Sequence, residues 1–270
     1  LGYLQHRHLL LILDSFEEVP LASPWVTRLL QAGSGIQILA TSRARLNIQA
    51  EQVFPLEGLQ YPAPDNLALD ALNLEDYSAL QLFISTARQV RPNYATPPEA
   101  PPHLARISQL VDGMPLGLVL AAGWLAALSP KETAQEIETS LDFLSANWSD
   151  LPARQRSLRA TLDHSWNMLS DHERQAFQKL SVFQGAFNRQ TASQVAEVDA
   201  VGLRAFVDKS MLQASPSSYS MHDLLRQYAS EKLAVDEISN RQVRDAHSAY
   251  YLERMPERTS RMKSAQRSAT

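Results

Sequence analysis

Asp14 is the side chain with the clearest chemical opportunity. It closes the run Leu9-Leu10-Leu11-Ile12-Leu13, five apolar residues without interruption. Such a run predicts a strand buried on both faces, as in a parallel sheet. A carboxylate at the carboxyl end of that strand stands where open α/β sheets bind their ligands. There it can hold Mg2+ against nucleotide phosphates; it equally suits an ordinary turn after a core strand. A second apolar run, Ile36 to Ala40, ends in Thr41-Ser42-Arg43. Gly113-Met114-Pro115 interrupts two helical patterns; Gly permits the left-handed turn that ends one helix, and Pro fixes φ at the start of the next. His222 opens an amphipathic stretch, with Asp223 in its first turn, where a carboxylate suits the helix dipole. The remaining histidines (His6, His8, His103, His164, His172 and His247) show no metal-ligand spacing, and His6 and His8 read as surface residues ahead of a strand. Cysteine is absent, which excludes a thiol nucleophile, a Cys-ligated metal and a disulfide framework.

The elements that must position these residues follow from pattern. Residues 24–31 read as a short helix closed by Gly33-Ser34-Gly35, so strand, helix and strand make a βαβ unit with a parallel pair. Residues 53–56 suggest one more short strand, at an edge because of Pro55. A helix is predicted over 74–90, a Pro-rich loop over 91–102, and a helix over 103–111. The helix predicted over 116–128 is apolar almost all round and therefore buried. Ser129 with Glu132, and Ser170 with Glu173, have capping-box spacing. Residues 148–152 read as a hinge. Helices are then predicted over 158–168, 170–180, 190–196 and 199–209, a small hairpin over 211–221, and a strong helix over 222–233. The tail from Arg241 carries an excess of basic residues, and its last dozen residues read as unfolded.

A chain of 270 residues accommodates two or three small domains at about 100–200 residues each. Its 44% hydrophobic and 20% charged residues are ordinary for a soluble globular protein, and a net charge of −4 gives no global reason to expect nucleic acid or membrane partners. No apolar run approaches the ~18 residues of a membrane helix, and the N-terminus lacks a signal-peptide layout. With no cysteine, a cytoplasmic location is expected. The chain begins at Leu1, almost directly in a core strand, and reads as a piece of something longer.

Five stretches in order resemble motifs of the STAND class of P-loop ATPases, in particular bacterial NB-ARC-like regulators with helical sensor repeats. HLLLILDSFEEV resembles their Walker B strand, and ILATSRARLNIQAEQVFPLEGL their sensor-1 strand. LVDGMPLGLVLAAGWL resembles the GxP motif of their helical domain. LRATLDHSWNMLSDHERQAFQKLSVFQGAF resembles the opening of their winged-helix domain, and SMHDLLRQYASEKL the MHD motif that ends it. The resemblance covers roughly residues 8 to 255. It implies a multidomain α/β plus all-α fold: part of a parallel P-loop NTPase sheet over 1–60, a helical domain over 61–150, a winged-helix domain over 151–235, and over 236–270 a linker towards helical repeats.

The resemblance also implies a site for ADP or ATP with Mg2+. Asp14 would bind Mg2+, Arg43 would reach the γ-phosphate, and Thr41 and Ser42 would add polar contacts. Pro115, with Gly113, would lie near the adenine, and His222 would bond the β-phosphate of ADP. A guanidinium fixed at a strand end distinguishes triphosphate from diphosphate by charge and hydrogen bonds. Two departures qualify this. No G-x-x-x-x-G-K-[ST] run exists, since Gly33-Ser34-Gly35 lacks the Lys and precedes a strand. The residue after Asp14 is Ser15 where a second acid often stands, leaving Glu17 or Glu18 as substitutes. Slow ATP hydrolysis is therefore expected of a complete protein, and none of this chain alone.

The resulting expectation is a nucleotide-dependent molecular switch of a signal-transduction or transcription-regulatory protein. Self-association would accompany its activation, with sensor repeats and effector domain outside this chain. Two alternatives stand beside it. One is a winged-helix transcription regulator that binds DNA directly through residues 199–209, where Arg204 and Lys209 are balanced by Asp199 and Asp208. The other is a degenerate scaffold that binds no nucleotide.

Overall fold

The computed structural model describes residue 4 and residues 7–19, 21–63, 73–146 and 156–268, with side chains described to residue 254. The hinge expected at 148–152 lies outside these residues. The fold is mostly helical with a small parallel sheet, and it divides into two compact units. One comprises residues 1–56 with 203–212; the other comprises 57–202 with 213–270.

The first unit holds β1 (Leu9–Leu13), α1 (Ser23–Ala32) and β2 (Ile36–Ala40). β1 and β2 pair in parallel, Leu9 opposite Ile36 and Leu13 opposite Ala40, as the βαβ reading predicts. α1 packs on β2 and buries Val26. Burial on both faces is not found. Along β1 exposure alternates, leaving Leu10 at 56% and Ile12 at 67%, with Leu39 of β2 at 56%. Two strands and one helix cover one face only, so the period of two shows through a uniformly apolar run. Residues 53–56 form no strand: Phe54 and Leu56 are exposed, and no ladder partner lies beside them among the described residues. The Arg45 N–H donates to the Asp208 carbonyl at 3.0 Å, and its guanidinium lies 3.3 Å from the Asp208 carboxylate.

The second unit begins with an extended segment, residues 57–63, followed by α2 (Ser78–Val90), α3 (Ala100–Leu110), α4 (Pro115–Gly123) and α5 (Pro130–Thr139). α3 starts three residues earlier than predicted, at Ala100. Pro101 and Pro102 fall in its first turn, where the N–H they lack would have no helical acceptor. α4 ends at Gly123 and continues as a 3-10 turn over Trp124–Ala126. Leu80, Phe83, Leu104, Ile107, Leu118 and Leu120 meet in one core.

The chain then forms α6 (Leu158–Asn167), α7 (Asp171–Leu180), α8 (Arg189–Ala196) and α9 (Ala200–Asp208). The hairpin β3 (Gln213–Ser215) and β4 (Ser218–Ser220) and the helix α10 (Asp223–Ala234) follow, in the predicted order. Both capping boxes are present, Ser129 with Glu132 and Ser170 with Glu173. Tyr228 fixes α10 against α6: it is fully buried, and its hydroxyl donates to Asp163 at 2.5 Å. Arg159 bridges Asp142 and Glu231, the latter at 2.6 Å. α11 (Glu237–Ser268) packs on α8 through Tyr250, whose hydroxyl lies 2.9 Å from Thr191 Oγ1. Its backbone stays helical to Ser268, where an unfolded end is expected. Arg, Lys, Glu, Gln, Met and Ala are good helix formers and continue a helix without apolar periodicity.

Candidate functional site

The predicted residues fall into two clusters, one in each unit. In the first unit the carboxyl ends of two parallel strands lie side by side. The Thr41 N–H donates to the Leu13 carbonyl at 2.9 Å, carrying the ladder one residue past β2. Its hydroxyl donates to Asp14 Oδ1 at 2.5 Å and accepts from the Ser15 N–H at 3.0 Å. The Phe16 N–H closes the loop on the Thr41 carbonyl at 2.9 Å, with Ser15 left-handed at φ 53°. Thr41, expected to add secondary polar contacts, is thus the residue that orients Asp14. The pair offers one carboxylate and one hydroxyl, an all-oxygen set that suits Mg2+, which takes few protein ligands beside phosphate oxygens and water. Among the described residues no group of three or more His, Cys, Asp or Glu gathers to hold a metal. Bound there, the ion would neutralise phosphate charge.

Arg43 follows Thr41 by two residues, and its Nε sits 3.7 Å from Glu17 Oε1. The Glu17 side chain is only 7% exposed, and its Oε2 is buried without a hydrogen-bond partner. Glu17 comes from the 3-10 turn Phe16–Glu18 that follows Asp14. It faces the Arg43 guanidinium. Ser42 serves its own turn, accepting from the Ala44 N–H at 3.2 Å.

In the second unit the turn between α3 and α4 is built by two successive left-handed residues, Asp112 at φ 47° and Gly113 at φ 63°. The Asp112 N–H donates to the Gln109 carbonyl at 3.0 Å and the Gly113 N–H to the Ser108 carbonyl at 2.9 Å. That is the Schellman pattern. A Cβ on Gly113 would stand 2.1 Å from the Leu59 carbonyl oxygen, because the extended segment crosses directly over the turn. The Leu59 N–H donates to the Gly113 carbonyl at 2.8 Å. Met114 is extended, as a residue before Pro prefers, and Pro115 occupies the first turn of α4.

His222 caps α10. Its Nδ1 accepts from the Leu224 N–H at 3.0 Å, so the neutral ring carries its proton on Nε2. Nε2 lies 3.3 Å from Asp112 Oδ2. The other oxygen of Asp112 accepts from the Tyr61 hydroxyl. Burial pulls the imidazole below its usual 6.5, opposed by the charges of Asp112 and Asp223 and by the Val111 carbonyl. Burial, with the bond to Asp112, pushes the Tyr61 phenol up to about 12. The resemblance implies a bond from His222 to the β-phosphate of ADP; in this structure both ring nitrogens face protein groups.

Asp112, Tyr61 and the buried post of Glu17 were missed as site residues. Asp112 stood inside the quoted Asp-Gly-x-Pro stretch, and its signal was a carboxylate at a helix end where Gly is usual. Nothing local to Tyr61 marks it.

No known protein-family profile matches the chain. It is similar to a protein of Mycobacterium tuberculosis strain H37Rv provisionally designated an HTH-type transcriptional regulator. The two are 27% identical over 261 residues, which is 92% of this chain and 28% of that protein. An uncharacterised protein of the same strain is 26% identical over 246 residues, 86% of this chain and 59% of the relative. The chain therefore spans about a quarter to three-fifths of the relatives it matches. Among solved structures it is similar to a Signal Transduction ATPase with Numerous Domains, carrying a tetratricopeptide repeat sensor, from Pyrococcus horikoshii. That similarity is 18% identity and a TM-score of 0.33, over 92% of this chain and 31% of the other.

Proposed function

We propose that this chain is the nucleotide-handling segment of a cytoplasmic regulatory protein of the STAND kind, working as an ADP/ATP-dependent switch. The observation that carries the reading is the Asp14–Thr41 pair, a carboxylate oriented by a hydroxyl at adjoining ends of two parallel strands. A Walker B carboxylate has that place and chemistry. Arg43 supplies a cation in the same unit, two residues after Thr41; Gly113, Pro115 and His222, also expected to contact the nucleotide, form a separate cluster in the other unit. In this reading residues 61–150 form the helical domain, 151–235 the winged helix and 236–270 the linker. Sensor repeats and effector lie elsewhere in the protein. No P-loop run is present in these residues, so tight binding needs phosphate-cradling backbone from another segment.

Calorimetric titration of Mg·ADP and Mg·ATP tests this, on the chain and on the same chain extended upstream through its own coding sequence. Asp14→Asn weakens Mg2+-dependent binding at least tenfold if the reading is right. No binding by either protein overturns it.

The direct DNA-binding reading draws on the relative designated an HTH-type regulator. Its reading helix would be α9, whose Asp208 carboxylate pairs with both Arg204 and Arg45. A helix with its basic groups so offset is a poor phosphate contact. Salt-dependent binding of the chain to duplex DNA would favour that reading instead.

A further inference from the structure

We propose that Asp112 is a positioning residue for His222: the chain Tyr61–Asp112–His222 ties the start of α10 to the α3–α4 turn and fixes the imidazole as its Nε2–H tautomer. Three observations converge. The two Asp112 oxygens divide their work, Oδ1 taking the Tyr61 hydroxyl and Oδ2 lying 3.3 Å from His222 Nε2. His222 Nδ1 is already committed to the Leu224 N–H, so Nε2 is the ring's remaining polar atom, and Asp112 Oδ2 faces the ring there together with the Val111 carbonyl. Asp112 also holds a left-handed backbone at the position of a Schellman turn where Gly is ordinarily found. Glycine takes that backbone most readily, and an L-residue there carries a conformational cost. A residue kept at a position where its backbone is disfavoured points to work done by the side chain.

The groups facing His222 are Asp112 from the α3–α4 turn, Tyr61 behind it on the extended segment, and Asp223 on α10 itself, the last paired with Arg226 at 3.0 Å. Two carboxylates and the Val111 carbonyl surround the ring, so the proton on Nε2 has acceptors and the ring is held from solvent. The consequence rests on the proposed function: a phosphate oxygen that is to bond His222 must first displace Asp112, one anion exchanging for another. Asp112 then belongs to the nucleotide-free state and resists its loss.

Nitrogen-15 NMR of the histidine side chains tests the latch in the whole chain with no nucleotide present, so its failure is distinct from a failure to bind ADP. The His222 signals are assigned by their loss in His222→Gln. In the wild type they are expected to show the Nε2–H tautomer. In Asp112→Asn the His222 midpoint moves down by about 1 pH unit, because a carboxylate that favours the imidazolium has gone. Tyr61→Phe leaves the tautomer but shifts the midpoint up, since Asp112 then carries undivided charge towards the ring. Asp112→Gly, which relieves the left-handed backbone, supplies the same readout should Asp112→Asn unfold. An Nδ1–H tautomer in the wild type, or a midpoint indifferent to residue 112, would overturn the inference.

Discussion

Gly113 is the residue on which the second cluster depends most sharply. Any side chain there meets the Leu59 carbonyl in a left-handed backbone, and backbone cannot step aside. Gly113→Ala is expected to cost at least about 2 kcal/mol in urea denaturation. Gly185→Ala meets nothing within 4 Å and should stay within about 0.5 kcal/mol. His222 carries a pH dependence of definite sign. Its folded value lies below 6.5, so the unfolded chain takes up the proton first as pH falls. The contribution is complete above about pH 6.5 and is lost as pH drops through the window beneath it. His247 shifts the same way through burial and the nearby Arg244. The comparison therefore runs between wild type and His222→Gln, which should lose less stability from about pH 7.5 to about pH 5.5. Equal slopes would contradict the assignment. The backbone roles of Gly113 and Pro115 were legible in the sequence because they are local. The partners of Asp112 were not, since Tyr61 and His222 lie 51 and 110 positions away and no periodicity links them.

At the scale of elements, short-range chemistry read well. Ser129 and Ser170 accept from the Glu132 and Glu173 N–H groups, and each Glu returns the bond. Replacing either serine by alanine should lower stability by about 1 kcal/mol, read as a shift in urea midpoint. The start of α3 was misplaced because five prolines between Arg91 and Pro102 look like a loop, though two of them suit a first turn. Burial of β1 was overestimated for a tertiary reason: an apolar run does not state how many faces are covered. Leu10, Ile12 and Leu39 remain exposed, each forgoing part of the ~1.5–3 kcal/mol that full burial supplies. Residues 1–60 should therefore be the least stable part of the chain. Amide exchange should be faster in β1 and β2 than in α2 and α4; equal protection would refute this.

For the whole molecule, helices and hairpin follow the order that hydrophobic pattern and capping residues predict, while the assembly of functional groups was only half legible. Asp14, Thr41 and Arg43 were read from strand ends, which the βαβ pattern places together. Glu17 was legible as an acid, but its pairing with Arg43 depends on how the turn after β1 folds. The central claim is that Asp14 is a metal–nucleotide carboxylate. Its most direct test is the Mg2+ dependence of ADP affinity in the upstream-extended chain, wild type against Asp14→Asn. The account predicts affinity that rises with Mg2+ in the wild type and does not in the variant. Affinity equal in the two proteins at every Mg2+ concentration would contradict it.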